Sequence, residues 1–139
     1  MTAAIREMTI EDYAASLTLW QGCEGIGLSV SDERPALEEY LRRNPGLSFV
    51  ALDGDELVGT VLCGHDGRRG FLYHLAVRPD SRRQGIGNLL VERALESLRR
   101  QGIIKCHLVV FGTNEKAAGF WARHGWKERI DLRMFSHDL

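Results

Sequence analysis

Residues 75–95 read LAVRPDSRRQGIGNLLVERAL and place a glycine-rich turn between an apolar run and an amphipathic one. The apolar run FLYHLAVRP, residues 71–79, predicts a strand that ends at Pro79, because proline cannot donate to a sheet ladder. From about Gly85 to Gln101 the apolar residues recur at helical spacing, which predicts an amphipathic helix. The stretch is therefore a strand, a turn with two arginines and a helix.

Further strand patterns surround this stretch. Residues 47–79 read as three successive strands joined by turns at 53–54 and 66–67, which predicts an antiparallel meander. The segment KCHLVVF, residues 105–111, has a continuous apolar centre and predicts a central strand. Since a strand, a helix and a strand follow one another across residues 71–111, a right-handed crossover and a parallel strand pair are expected.

The two ends of the chain complete the predicted order. A short strand at residues 3–8 precedes a helix that starts at Thr9, and Ser31 or Asp32 is expected to cap a second helix. A short helix capped by Asn114 and a strand-like segment at 126–135 close the chain. The predicted fold class is therefore α/β or α+β, built on a mixed sheet.

The composition is that of an ordinary globular chain. Its 139 residues fit one domain with one core, spanning 1–139. The formal net charge of −1 gives no reason to expect nucleic acid or an anionic membrane as a partner. The start lacks a secretory pattern, no apolar run approaches the ~20 residues of a spanning helix, and the three cysteines lack metal-knuckle spacing. We therefore expect a cytoplasmic protein without a metal.

The turn RRQGIG, residues 82–87, has the composition of an anion site. A helix N-terminus presents unpaired N–H groups with a partial positive charge, and glycine lets a phosphate approach them closely. A P-loop fits badly because no Lys-Ser or Lys-Thr follows the glycines, and a dinucleotide fingerprint fits badly because position 90 is Leu. From the residues alone, a phosphate carrier and a tight turn with solvated arginines both remain open.

Two motifs in register resemble the GNAT superfamily of acyl-CoA-dependent N-acyltransferases, most closely its short single-domain bacterial members. Arg82, Gly85 and Gly87 match the family's acetyl-CoA-binding motif, which is Arg or Gln, two residues, Gly, one residue, then Gly or Ala. The stretch NEKAAGFWARHGW, residues 114–126, resembles the family's Asn-x-x-Ala-x-x-Phe-Tyr-x-x-x-Gly-Phe signature. The resemblance implies a mostly antiparallel central sheet with a parallel, splayed strand pair and about four flanking helices.

The resemblance also implies where acetyl-CoA binds as co-substrate. A bulge beside LYHLAV, residues 72–77, would open the sheet so that Leu75, Ala76 and Val77 contact the pantetheine arm, with the amide of Val77 or a neighbour near the thioester oxygen. The glycine-rich turn at 82–87 and the motif at 114–126 would hold the rest of the acetyl-CoA molecule. The expected contacts are Arg82, Arg83, Gln84, Gly85, Ile86, Gly87 and Asn88 at the pyrophosphate, and Asn114, Ala117, Phe120 and Trp121 at the pantetheine and thiol.

The sequence departs from the family at Trp121, where the usual residue is a tyrosine that serves as the acid. An indole N–H is not a practical proton donor to a thiolate, so solvent or another group must supply the proton. Tyr73 in the predicted strand and Tyr40 near the expected acceptor side are candidates. His74, the titratable imidazole of the same strand, is the candidate base. Core packing is the alternative role for each of the three.

The leading interpretation is an N-acetyltransferase in which an amine attacks acetyl-CoA directly in a ternary complex. A non-catalytic acyl-CoA sensor, which Trp121 favours, is the alternative, and a generic nucleotide binder is a third. Asp32 and Glu33 lie in the loop that walls the acceptor site in the family and could attract a cationic amine; helix capping explains them equally. Tyr40 lies on the helix near the expected acceptor side. The acceptor would be a small-molecule or exposed peptide amine. Homodimerisation through the C-terminal strands stays undecided.

Overall fold

The computed structural model describes residues 3–139, which form two compact units, one ending at Val109 and the other starting at Val110. The first unit contains a five-stranded sheet in the order β1-β2-β3-β4-β5, antiparallel from β1 to β4 and parallel between β4 and β5. The strands are β1 (Ala4–Glu7), β2 (Phe49–Asp53), β3 (Glu56–His65), β4 (Gly70–Val77) and β5 (Cys106–His107). Its helices are α1 (Tyr13–Gln21), α2 (Arg34–Arg43) and α3 (Ile86–Arg100).

Helices cover both faces of the sheet. Trp20 of α1 and Leu37 of α2 share one buried cluster with Leu62 of β3. Gly59 of β3 instead approaches α3, since a Cβ atom placed on it would lie 3.0 Å from Leu90 Cδ1. Positions 59 and 62 are three residues apart on one strand, so they point to opposite faces. The first two helices therefore pack on one face, and α3 packs on the other.

A cluster of hydrogen bonds to the Asp12 carboxylate fixes the connection between β1 and α1. Both terminal guanidinium nitrogens of Arg6 donate to the Asp12 carboxylate at 2.8 Å, and the Thr9 N–H donates to it at 2.9 Å. Burial alone would raise the pKa of Asp12, but the bonds from Arg6 and Thr9 outweigh it and hold that pKa below its usual range. The chain turns into a helical conformation directly after Thr9, as the sequence predicts.

The capping prediction for the second helix is wrong in detail. Ser29 caps a 3₁₀ turn over Val30–Asp32, with its hydroxyl accepting from the Ser31 N–H at 3.2 Å. Helix α2 starts only at Arg34, where Pro35 supplies the fixed φ that suits a first turn. Within this turn one oxygen of the Asp32 carboxylate accepts the Ser29 N–H at 2.9 Å, which leaves the other oxygen to bond elsewhere.

The second unit contains one helix, α4 (Glu115–Arg123). Asn114 caps it as predicted, because its side-chain oxygen accepts the Ala117 N–H at 3.0 Å. The strand prediction at 126–135 is wrong, since residues 126–139 contain no strand. Alternation gives this segment two distinct faces, but a strand also needs a hydrogen-bonded neighbour, and no strand forms in residues 110–139 to provide one. The strand predicted at 105–111 is likewise paired only at Cys106 and His107.

Within residues 3–139, five strands with one parallel pair and four α-helices confirm the predicted mixed-sheet class. The single domain over 1–139 stays a prediction. Among residues 3–139, none of the helices combines the length and apolar character that crossing a membrane would require.

The contact between Gly59 and α3 gives a stability prediction. A Cβ atom on Gly59 would lie 3.0 Å from Leu90 Cδ1 and 3.2 Å from the Ala76 carbonyl oxygen, and the latter is backbone that cannot turn away. Gly59→Ala should therefore lower the free energy of unfolding by about 1–3 kcal/mol. Gly112→Ala is the control, because its Cβ would meet no atom within 4 Å. Chemical denaturation that finds the two variants equally stable would contradict this packing.

Candidate functional site

The turn before α3 presents a row of free backbone N–H groups. Arg83 and Gly85 have φ values of 62° and 80°, and Gly85 is the residue before the first helical position. The helical ladder begins with the Leu89 N–H bonding to the Gly85 carbonyl at 3.0 Å. Within residues 3–139, no hydrogen bond from the amides of 83–88 to another residue is seen. These amides are therefore available to an anion at the positive end of the helix dipole.

The geometry of this turn suits a pyrophosphate. A Cβ atom on Gly85 would meet no atom within 4 Å, so the space outside the turn is open. Ile86 and Leu90 are buried, which anchors the start of α3 against the sheet. An anchored helix N-terminus with free amides and open space in front of it is the arrangement that binds phosphate groups.

Arg82 and Arg83 differ in what they contact. The Arg82 Nε donates to the Val77 carbonyl oxygen at 2.9 Å, and its terminal nitrogen lies 3.8 Å from Cys23 Sγ. Arg82 thus ties the turn to the end of β4. The neighbouring Arg83 is exposed. Both arginines are expected at the pyrophosphate. Of the two, Arg83 is the one whose side chain faces solvent without a hydrogen bond to the end of β4.

A β-bulge interrupts β4 at His74. Thr60 and Leu62 on β3 are two positions apart, whereas their partners on β4, Ala76 and Tyr73, are three positions apart. The extra residue is accommodated by His74, whose φ of 49° lies in the left-handed region. The resemblance implied a bulge in this segment, and the strand pairing contains one.

The edge of β4 that faces β5 is paired only at its start. Gly70 and Phe71 pair with Cys106 and His107. Beyond Phe71, residues 72–77 have no strand partner on this side anywhere in residues 3–139. Outward-facing backbone groups of this stretch, which includes Leu75, are therefore available to an extended ligand that adds along the strand. The Val77 carbonyl is an exception, because Arg82 already bonds to it.

The side chain of His74 pairs with Asp32. The Nε2 atom of His74 lies 2.7 Å from Asp32 Oδ1, and the two side chains are only 13% and 12% exposed. The His74 ring also meets the Trp20 ring in an edge-on contact with centroids 4.7 Å apart. The predicted base and a predicted acceptor contact are thus partners. Sequence reasoning missed this pairing because the two residues lie 42 positions apart and no local pattern connects them.

Two further residues hold the bulge and were also missed from the sequence. The Thr60 hydroxyl donates to the His74 carbonyl oxygen at 2.9 Å, and the Trp20 indole N–H donates to that hydroxyl at 2.8 Å. Both Trp20 and Thr60 are buried. Trp20 had a signal in the helical spacing of α1, but that signal indicates burial and gives no sign of a hydrogen bond to the sheet.

The candidate tyrosines lie side by side on the same face. The Tyr40 and Tyr73 rings meet edge-on with centroids 6.5 Å apart. Tyr73 is 44% exposed, and partial burial raises the pKa of its phenol, so it keeps its proton at neutral pH. Burial raises the pKa of Tyr40 much further, and its hydroxyl is buried without a hydrogen-bond partner in residues 3–139. Of the two tyrosines, Tyr73 is the one with an exposed side chain.

The remaining predicted site residues are placed as follows. Glu33 is exposed, and its carbonyl oxygen accepts the Leu37 N–H at 3.0 Å as α2 begins. In the second unit, Phe120 and Trp121 are half-buried and meet edge-on at 5.1 Å, and Trp121 also meets Trp126 at 5.0 Å. The contacts of Asn114, Ala117, Phe120 and Trp121 with a cofactor stay predictions. Residues 3–139 contain no group of three or more His, Cys, Asp or Glu side chains that could hold a metal ion.

Comparison with known proteins shows which family this chain resembles. The model of the acetyltransferase (GNAT) family matches residues 9–126. An acetyltransferase of Pectobacterium atrosepticum is 36% identical over 119 residues, which cover 86% of this chain and 84% of the relative. An acetyltransferase of Sodalis glossinidius is 34% identical over 119 residues, covering 86% and 83%.

Solved structures show the same fold. The PaiA N-acetyltransferase of Thermoplasma acidophilum, in complex with coenzyme A, aligns with a TM-score of 0.80 and 21% identity over 91% of each chain. An acetyltransferase of Streptococcus agalactiae aligns with a TM-score of 0.80 and 19% identity over 99% of this chain and 91% of the other. The family match covers most of the chain, so this protein belongs to the GNAT acetyltransferase family.

Proposed function

We propose that this protein is an N-acetyltransferase that moves the acetyl group of acetyl-CoA to an amine. The observation that carries the proposal is the row of free amides at 83–88, at the anchored N-terminus of α3 and next in the chain to the open edge of β4. Membership of the acetyltransferase family supports the reaction class. A structural neighbour described in complex with coenzyme A supports the choice of acyl carrier.

Two segments of the chain would bind acetyl-CoA. The amides of residues 83–88 hold the pyrophosphate, with Arg83 adding charge, and the edge of β4 around Leu75 holds the pantetheine arm as an added strand. The amide of Val77 or a neighbour stabilises negative charge that develops on the thioester oxygen. Acetyl-CoA supplies an acyl group that is activated as a thioester. The protein then has to bring a neutral amine to it and to direct the protons.

His74 is the proposed base. Its Nε2 is engaged by Asp32, whereas no hydrogen bond to its Nδ1 is present among residues 3–139. Nδ1 can therefore take the proton that the attacking amine must lose, directly or through one water. Tyr73 is the proposed acid for the leaving thiolate, because it is exposed on the same strand and stays protonated at neutral pH. It would fill the role that the tryptophan at position 121 leaves open.

The acceptor is proposed to be a small or exposed amine in a bacterial cytoplasm. Glu33 is an exposed carboxylate one residue from Asp32, and it would attract an ammonium group towards His74. The rival function, an acyl-CoA sensor without turnover, draws its support from Trp121 in place of the usual tyrosine.

A product assay separates the two functions. We expect incubation with acetyl-CoA and a panel of polyamines, amino acids, aminoglycosides and peptides to release free thiol and to give one class of amine heavier by an acetyl group. Parallel thermal melts should show stabilisation by coenzyme A that ATP and NAD do not match. Stabilisation by coenzyme A without product from any amine would favour the sensor, and equal stabilisation by ATP would contradict the assigned site.

A further inference from the structure

We propose that Asp32 is the positioning residue of His74: it holds the imidazole in the tautomer that leaves Nδ1 as the free proton acceptor. The catalytic consequence of this inference rests on the proposed function. The inference changes the role expected for Asp32, from a contact of the acceptor amine to a partner of the base. It also explains why a histidine occupies a bulge position whose backbone conformation few side chains adopt.

The tautomer follows from the chemistry of the pair. An ionised carboxylate only accepts hydrogen bonds, so the 2.7 Å contact between Asp32 Oδ1 and His74 Nε2 requires the proton to lie on Nε2. In the neutral ring the lone pair is then on Nδ1. Asp32 is a charged side chain in contact with the ring, and the Trp20 ring also meets it in an edge-on contact.

Asp32 is itself held in place on both sides. Its second carboxylate oxygen accepts the Ser29 N–H at 2.9 Å, and its backbone carbonyl accepts the Tyr13 hydroxyl at 2.8 Å. With both carboxylate oxygens engaged and the side chain 12% exposed, Asp32 has little capacity left for a substrate ammonium group. Its geometry is that of a fixed support and differs from that of exposed Glu33.

His74 is held at three points at once. Asp32 engages its ring nitrogen, Trp20 contacts its ring, and the Thr60 hydroxyl bonds to its carbonyl oxygen. Left-handed backbone is uncommon for a non-glycine residue, and such positions cluster at functional sites where the surroundings hold them in place. A buried chain of hydrogen bonds, from Trp20 through Thr60 to the His74 carbonyl oxygen, stabilises this strained backbone. This support indicates that the orientation of His74 matters.

The tautomer can be measured without any acetyl-CoA. Two-bond proton–nitrogen spectra of the imidazole rings in the full chain, with His74 assigned by its loss in His74→Gly, report which nitrogen carries the proton. We expect the neutral imidazole of wild-type His74 to carry its proton on Nε2, and Asp32→Asn to gain a substantial Nδ1–H fraction because an amide can also donate. An Nδ1–H form in the wild type, or identical spectra in the two proteins, would overturn the inference.

Kinetic measurements test the effect of this positioning on catalysis. Asp32→Asn should lower kcat by about 100-fold or more, as expected when a base is held in the wrong tautomer, with the Kd for coenzyme A unchanged within about 2-fold. Asp32→Glu keeps the carboxylate and should recover part of the loss. Asp55→Asn is the matched control, because Asp55 is an exposed aspartate in the turn between β2 and β3.

The two readouts keep the inference separate from the proposed function. If the wild-type chain acetylates no amine while its His74 is in the Nε2–H form, the proposed function fails and the positioning of His74 by Asp32 stands. If the wild type is active but Asp32→Asn retains its kcat, the positioning role fails and the proposed function stands. Thermal melts of Asp32→Asn and Asp32→Glu verify that both variants are folded, so a loss of kcat is assigned to the site.

Discussion

His74→Gly should reduce kcat by about 100- to 10,000-fold, the range that a positioned general base contributes. Glycine is the informative replacement because it adopts the φ of 49° at this position without the penalty that other residues meet. The variant should therefore keep the bulge and lose only the imidazole. The measurement is kcat by thiol release, together with the Kd for coenzyme A, which should stay within about 2-fold of wild type.

The glycine variant also allows a direct rescue. Removing the ring leaves space beside Asp32 and Trp20, and added imidazole should restore part of the lost kcat in a concentration-dependent way. His137→Gly, in the exposed C-terminal segment, is the control and should retain full activity. If His74→Gly keeps wild-type kcat, or loses it without any response to imidazole, His74 is not the base.

Gly87→Val should weaken the binding of coenzyme A by about 100-fold or more. Gly87 lies in the first turn of α3 and is not among the glycines with positive φ, so its backbone conformation is open to other residues. A β-branched side chain there would stand between the free amides of 83–88 and the pyrophosphate and would keep the phosphate oxygens at a distance. The measurement is the Kd by calorimetric titration.

The matched control for this prediction is Gly22→Val. Gly22 follows α1, has an ordinary φ of −92°, and a Cβ atom on it would have contacts no closer than 3.7 Å. Gly22→Val should leave the Kd unchanged. A Gly87→Val variant that is folded by thermal melting and binds coenzyme A as the wild type does would show that the carrier lies elsewhere.

The parts of the site that depend on neighbouring residues could be predicted from the sequence. The strand, the glycine turn and α3 are contiguous, so periodicity and turn composition placed them correctly, with the helix at Ile86–Arg100. The expectation of an anion site follows from the same local geometry, because free amides at a helix start need no distant partner. The family resemblance then indicated acetyl-CoA as the phosphate carrier, which suits an anion site beside an open strand edge.

The parts that depend on distant residues could not be predicted. The pairing of His74 with Asp32 arises because an unpredicted 3₁₀ turn at Val30–Asp32 brings the carboxylate to the bulge. The hydrogen bond of Trp20 to Thr60 joins residues 40 positions apart. The wrong strand prediction at 126–135 has the same origin. Alternation of apolar and polar residues shows that a segment has two distinct faces, but it does not show whether a neighbouring strand is present to pair with it.

The most direct test of the whole account is the initial-rate pattern of thiol release when the concentrations of acetyl-CoA and an accepted amine are varied together. Direct attack of the amine in a ternary complex, with His74 as base, predicts double-reciprocal lines that intersect. Parallel lines would mean that the acetyl group first passes to a residue of the protein. That result, or coenzyme A binding without thiol release for any amine, would contradict the account.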